Sequence, residues 1–372
     1  MDRFTQIVAI ATGLCLGTSQ VQAEAARLDS SPATTQFADI QPVSRPVGNA
    51  GALGLSLYYE NDGSFVRPNG ATDRHYTNGT GIAVQWQSDV TDGLVGAIPS
   101  IGDEFAREMR GTSFGAGVML SLNMYTPADI SDPEPIYDDR PYAGWTYVGF
   151  IAQRANRAGS IPVFEHIELD VGDVGATGQA GKVQRWVHER YGAQSPEGWD
   201  YQIRDEFGFD YRYQRRWRIN LMGDSAGHGA AVQVIPEAGF TLGSVHINAG
   251  AGALLRAGWN LPDDFGPGSM RFASDFTRSF ANSGRGIGGY VFVRPTGSVV
   301  AHDSTIDGSF FQSSPVQGAS QTLVGALQLG LAIQFLGHFE VSYSQTYLTH
   351  EFVGQTTKDA YGALNITAIY TW

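Results

Sequence analysis

The chain of 372 residues sets 24 Lys and Arg against 37 Asp and Glu, a formal net charge of −13, and only 16% of its residues are charged. That balance excludes a non-specific nucleic-acid binder, because neutralising phosphates needs a surplus of basic side chains, but it leaves a lipid partner open. With 47 Gly, 20 Phe, 16 Tyr and 7 Trp, and no run approaching the roughly 20 apolar residues of a spanning helix, the composition predicts many strands and turns.

Residues 1–23 combine Arg3, an apolar stretch from Ile7 to Leu16 and small residues before a cut after Ala23, the pattern of a secretory signal peptide. The only cysteine, Cys15, lies inside it, and Leu14 stands where a lipoprotein signal would have a small residue, so the exported chain is expected to hold together without disulfides. Residues 24–50, rich in Ala, Ser, Thr and Pro without a period, are expected to form a flexible lead-in. From 51 to 372 the dominant signal has period two.

Leu53, Leu55, Leu57 and Tyr59 share one face of the first strand, which runs into Asn61 and Asp62. Candidate strands lie near 52–61, 77–88, 113–124, 144–155, 163–172, 208–219, 229–241, 244–256, 286–299, 319–333, 337–351 and 360–372. Phe339, Val341, Tyr343 and Tyr347 share a face, and the last stretch alternates from Gly362 to Trp372 and ends on that aromatic residue. Twelve segments, many of 10 to 14 residues, are long enough to cross a bilayer at the usual tilt. The predicted fold is therefore an all-β transmembrane antiparallel barrel of about twelve strands over 51–372, with a soluble β-sandwich or barrel as the alternative. The 257–285 connection is long for the side of a barrel where turns are short, so a strand is merged or missed there on this count. Residues 176–192 break the period: Val183, Trp186, Val187 and Arg190 follow helical spacing, and Gly192 suits the helix end. On that helix Gln184 and His188 share a face.

An N-terminus on the periplasmic side puts three polar clusters at the outer rim. They are Asn61-Asp62 with the approach to Thr77, the "DDRPYAGW" stretch at 138–145, and the helix bearing His188. By parity the Asp62 and Thr77 side chains both point inward. Taken singly, Asn61-Asp62 equally well starts a turn, and His188 equally well packs as an ordinary surface histidine.

"ENDGSF" (60–65), "TDRHYTNG" (72–79), "DDRPYAGW" (138–145), "ELDVGDVGATGQAGKVQRWVH" (168–188) and "GWDYQIRDE" (198–206) occur in that order. Together they resemble the outer-membrane lipid A 3'-O-deacylase family (LpxR). The resemblance implies a twelve-stranded barrel in the Gram-negative outer membrane with a short extracellular helix at the active site. It also implies calcium dependence, and lipid A of lipopolysaccharide as the substrate from which 3'-linked acyl chains are released. The family's Asn-Asp pair corresponds to Asn61 and Asp62, its threonine to Thr77, and its helical Gln and His to Gln184 and His188. An acidic residue found six positions after the histidine in some members is Gln194 here, which leaves Glu189 or Glu197 to compensate.

Ester hydrolysis needs an activated nucleophile, charge stabilisation at the carbonyl oxygen and a proton for the leaving alkoxide. A neutral His188 can take a proton from water. An oxygen-only set of the Asp62 carboxylate, backbone carbonyls, the Thr77 hydroxyl and water suits Ca²⁺; no histidine or cysteine at ligand spacing favours zinc. Asn61 and Gln184 are then expected to donate to the oxyanion or to orient His188, while Ser195 is the candidate for a covalent route. Arg74, Arg140 and Arg185 lie in rim motifs and can meet lipid phosphates. A phospholipase-type esterase and a passive pore are the alternatives; a monomer in outer-membrane lipid is expected, with no nucleic acid.

Overall fold

The computed structural model describes residues 51–63, 73–100, 112–223, 228–271, 275, 277 and 286–371. The expected signal peptide and lead-in lie outside the described residues, as does Trp372. Alternation builds the wall. Along β1 (Ala52–Asn61) the residues Leu53, Leu55, Leu57 and Tyr59 face out and are exposed, while Ser56, Tyr58 and Glu60 face in and are buried. The same division continues through β2 (His75–Gln87), β3 (Thr112–Thr126), β4 (Ala143–Asn156), β5 (Val163–Val174) and β6 (Glu206–Trp217). After β7 (Ile219–Met222) come β8 (Ala230–Gly243), β9 (His246–Trp259), β10 (Ile287–Asp303), β11 (Leu323–Phe335), β12 (Phe339–Leu348) and β13 (Ala360–Thr371).

All neighbours pair antiparallel, and β1 pairs β13 from Ala52↔Thr371 to Asn61↔Gly362. Strand β6 pairs the upper half of β8, and the short β7 pairs the lower half, so the ring closes with twelve staves and one additional strand. The sequence reading's segment 208–219 corresponds to β6 and stops at the first residue of β7, a strand it did not count. Closure leaves every spanning strand paired on both sides, which a bilayer demands. Outward-facing Ile82, Val84, Leu120, Phe150, Leu169, Leu329, Leu331 and Ile366 are also exposed. Leaving a side chain of that size in water forgoes roughly 1.5–3 kcal/mol, so an apolar belt running round the ring belongs in lipid. Among the described residues no helix is long and apolar enough to cross a membrane.

No strand hides in the described part of the long connection after β9. Instead it folds into the lumen, where Leu261 and Phe265 join Phe164, Ile235, Leu254, Tyr290 and Phe292 in a buried cluster. Around it Arg256 is paired with Asp264, and Arg216 and Arg294 flank Glu237. Charges that far from water persist only when paired and hydrogen-bonded. The rim from which that connection starts also carries α1 (Asp89–Gly96), which the sequence reading did not anticipate although Ser88 caps it by accepting from Thr91 N at 3.2 Å. Its neighbouring segment covers the Arg154–Glu165 ion pair, with Arg154 donating to the carbonyls of Ile98 and Pro99.

Candidate active site

At the rim where β1 and β2 meet, the ladder ends with Asn61↔Asn78, and Asp62 N–H donates to the Thr77 carbonyl at 3.3 Å. The Asn61 amide closes this corner: Nδ2 donates to the Thr77 carbonyl (3.0 Å) and Oδ1 accepts from Gly63 N–H (2.8 Å). Between β2 and β3 the register shifts, with Tyr76 opposite Tyr125 and Asn78 opposite Met124. Thr77 is the extra residue of a β-bulge, which re-aims side chains. Tyr76 turns into the lumen, its hydroxyl donating to Glu60 at 2.7 Å. The Thr77 hydroxyl bonds Thr126 Oγ1 at 2.8 Å, on the face of β3 that also bears Leu122 and Met124. Parity without the bulge put Thr77 inward; the bulge turns it to the outer side of the wall.

That outer side is covered by α2 (Ala180–Tyr191) and a 3₁₀ turn, Gly198–Tyr201. Met124, Ile130, Tyr142, Ala180 and Trp199 form one buried cluster with Leu122 against it. Close approach depends on glycine: a Cβ at Gly144 would stand 2.6 Å from Ala180 Cβ. The chain enters α2 through Thr177, whose N–H donates to Asp205 Oδ1 (2.6 Å) and whose hydroxyl donates to Oδ2. Burial pushes the Asp205 carboxyl up, but those two donors outweigh it and hold its pKa below the ordinary value. The helix ends at Gly192 with φ 68, a left-handed conformation that glycine adopts freely. The chain then curls so that the Gln194 carbonyl accepts from His188 Nδ1.

His188 and Gln184 are both buried, one turn apart. The indole N–H of Trp199 donates to Gln184 Oε1 at 2.7 Å, which fixes the amide orientation because that indole can only donate. Gln184 Nε2 is buried and has no hydrogen-bond partner among the described residues. On the other side of the imidazole, His188 Nε2 lies 3.1 Å from Asp73 Oδ2. Burial raises the Asp73 pKa above its ordinary value, with His188 pulling the other way. Asp73 sits next to Arg74, whose backbone N–H donates to Asp62 Oδ2 at 2.8 Å. Asp73's own carbonyl accepts from Thr126 Oγ1 at 2.8 Å. Hydrogen bonds thus connect Asp62, the 73–77 segment and Thr126, and Asp73 sets its carboxyl group against the helical His188.

The 73–77 segment is under backbone constraint: Asp73 has φ 22 and His75 φ 59, conformations that non-glycine residues adopt at a cost of order 1–3 kcal/mol. Its anchor is His75, buried with Nδ1 2.6 Å from Asp359 Oδ2 and Nε2 3.0 Å from Asp139 Oδ1, so two neighbouring rim loops grip one ring.

The five residues singled out from the sequence therefore all lie on this corner: Asn61, Asp62 and Thr77 on the strand ends, Gln184 and His188 on α2. Asp73 and His75 were missed, although both stand in the quoted "TDRHYTNG"; an acid and a histidine bracketing an arginine ahead of a strand were the available signal. Gln194 meets His188 through its backbone, independent of its side chain, and the carboxylate against the imidazole comes from Asp73 rather than Glu189 or Glu197. Ser195 is exposed in the loop beyond α2. Arg140 is buried, donating to Thr305 Oγ1 (2.7 Å) and Glu351, and Arg74 Nε lies 3.4 Å from Asp359, so both serve as loop ties. Arg185 is half-buried on α2.

A family model described as outer membrane protein LpxR matches residues 22–370. LpxR from Salmonella typhimurium is similar in structure with a TM-score of 0.64 at 19% identity, covering 85% of this chain and 99% of that chain. The β domain of the Bordetella autotransporter BrkA gives a TM-score of 0.44 at 9% identity, over 86% of this chain and 99% of its own. The translocator domain of NalP from Neisseria meningitidis gives 0.42 at 8% identity, over 100% of both chains. No curated protein matches the sequence.

Proposed function

The chain belongs to the LpxR family of outer-membrane proteins, and from that premise we propose that this Gram-negative outer-membrane barrel is a calcium-dependent lipid A 3'-O-deacylase. The observation that carries the reading is the setting of His188. Its Nδ1 is committed to the Gln194 carbonyl, which must accept, so Nδ1 keeps its proton and Nε2 is left as the basic nitrogen. That nitrogen faces Asp73 on the outer side of the wall, beside the Asp62 corner.

In the proposed reaction a water oxygen attacks the ester carbonyl carbon while His188 Nε2 takes one of its protons. The resulting imidazolium stands against the Asp73 carboxylate, which favours the charged ring. Gln184 Nε2, held in place by Trp199 and otherwise unoccupied, donates to the carbonyl oxygen as it gains negative charge. The bond from that carbon to the sugar oxygen then breaks. His188 returns its proton to the departing alkoxide, leaving a free fatty acid and a sugar hydroxyl. The two amide atoms of Asn61 are engaged with the 63 and 77 backbone, so Asn61 sets the shape of the corner. Direct attack by water fits better than an acyl-enzyme, since His188 meets Gln194 and Asp73 and Ser195 is exposed.

The donor chemistry of the corner fits an oxygen-seeking cation. Asp62 supplies a buried carboxylate and Asp73 a half-buried one, joined through Arg74 N–H, with the Thr77 hydroxyl nearby as a third oxygen. Among the described residues no three acidic, histidine or cysteine side chains converge as a metal cluster, so backbone carbonyls, water and substrate oxygens would complete the shell. Bound there, Ca²⁺ would supply Lewis-acid polarisation of the ester carbonyl. The test is mass spectrometry of lipid A incubated with the purified barrel, with Ca²⁺ or with chelator. Loss of one ester-linked acyl group, dependent on both Ca²⁺ and His188, is expected. Unchanged lipid A in the presence of Ca²⁺ refutes the reading.

A further inference from the structure

Helix α2 does not stand above the barrel; it leans on the lipid side of the wall. Leu122 and Met124 of β3 and Thr146 of β4 face outward, yet they meet α2, its entry or the residues packed with it: Thr146 Oγ1 donates to the Gly178 carbonyl at 2.9 Å. Farther along the same outward faces, Leu120 and Phe150 are 53% and 52% exposed and belong to the lipid belt. The helix therefore occupies a position beside the wall that membrane lipid would otherwise fill.

Its two faces differ. Ala180, Gly181, Gln184 and His188 are buried against the barrel. The opposite stripe presents Val183 and Trp186, the latter 65% exposed, whereas Tyr191, three residues after His188, closes the last turn on the barrel side. Lys182, Arg185 and Arg190 accompany them, three cations against the single acid Glu189 within a chain of net charge −13. Aromatic and aliphatic residues flanked by basic ones are the composition of helices that lie at a membrane interface. Indole and phenol rings concentrate at head-group level.

We propose that the outer stripe of α2 is a lipid-binding surface. Val183 and Trp186 enter the boundary between acyl chains and head groups of the outer leaflet, and Lys182, Arg185 and Arg190 rest against its anionic groups. Continuity with the apolar belt identifies the occupant as the leaflet itself, and the local reversal of charge selects an anionic one. The surface is separate from the chemistry of His188, which lies on the opposite face of the helix.

The test uses nitroxide labels on single cysteines in the full barrel; the only native cysteine, Cys15, falls in the expected signal peptide. Labels at Val183→Cys, Trp186→Cys and, as an aqueous reference, Tyr137→Cys in the exposed rim loop are compared. The barrel is placed in phosphatidylcholine bilayers with and without phosphatidylglycerol. Collision with oxygen relative to a water-soluble nickel chelate is expected to be several-fold higher at 183 and 186 than at 137. The combined Lys182→Glu, Arg185→Glu, Arg190→Glu variant, carrying the 186 label, should lose that excess in the anionic bilayer. Labels at 183 and 186 as open to nickel as the one at 137 overturn the proposal. A charge-reversed helix that stays as deeply seated overturns its anionic preference. Neither readout needs turnover, so the outcome is independent of the deacylase reading.

Discussion

Gly181→Ala tests whether the docking of α2 governs turnover. A methyl at that position would stand 2.7 and 2.8 Å from Trp199 Cδ2 and Cγ, where carbon atoms prefer about 3.5–4.0 Å. Helix and indole must separate by about 1 Å, and the indole has little room, buried with its ring 5.0 Å from that of Tyr142. Overpacking of this kind costs about 1–3 kcal/mol, and losing the Trp199–Gln184 hydrogen bond adds about 1 kcal/mol. Both fall on the helix, because the strands close on themselves without it. A misplacement of about 1 Å at catalytic groups can lower a rate by about 10²-fold, so acyl release should fall by about ten- to a hundredfold. The assay is initial-rate release of fatty acid from lipid A by detergent-solubilised barrel, with the heat-dependent gel shift of the folded form as a check on the wall. Gly93→Ala in α1, where an added Cβ meets nothing within 4 Å, is the control. Full turnover by Gly181→Ala, with its gel shift intact, would refute the inference that the helix must sit this close.

His188→Gln should reduce fatty-acid release by about 10²–10⁴-fold, the usual contribution of a general base, while the gel shift persists; retained release removes the base assignment. Asp62→Asn and Asp73→Asn should each raise the Ca²⁺ concentration needed for half-maximal activity, measured by titration from a chelated sample. A Ca²⁺ dependence unaffected by both would locate the ion elsewhere. Asp205 has a depressed folded-state pKa, so its contribution to holding the start of α2 is present above the ordinary carboxylate value and lost as pH falls through the lower one. Hydrogen exchange at 177–185 should therefore stay slow down to about pH 4 and quicken below it, whereas Asp205→Asn should quicken it at neutral pH. Thr126→Val should lower acyl release, because its hydroxyl joins Thr77 to the Asp73 carbonyl; rates equal to the parent would make that link dispensable.

The wall was legible because period two is a local property: Leu53 to Tyr59 alternate whatever happens elsewhere in the chain. The helix was legible for the same reason, and the shared face of Gln184 and His188 is buried as that spacing implies. What escaped were features that local period does not encode. A bulge at Thr77 depends on how β3 lies against β2, so parity alone aimed its side chain the wrong way. The run from Leu261 to Met270 lacks strand alternation because its partners, such as Glu60 Oε1 accepting from Met270 N–H at 3.0 Å, lie across the lumen. Asp73 and His75 were hidden by their company: one motif held them both, and only the fold assigns one to His188 and the other to two remote loops.

The plugged lumen has a consequence for traffic. With Leu261, Phe265 and the surrounding paired arginines blocking one end of the interior, beside an open cavity lined by Tyr58, Tyr76 and Tyr361, and His188 on the outside of the staves, reactant and both products need never traverse the cylinder. Arrival and departure become two-dimensional, a matter of sideways drift in the plane of one leaflet. The barrel then serves as a fixed post around which its molecules diffuse, and turnover should follow the fluidity of that leaflet more closely than its permeability.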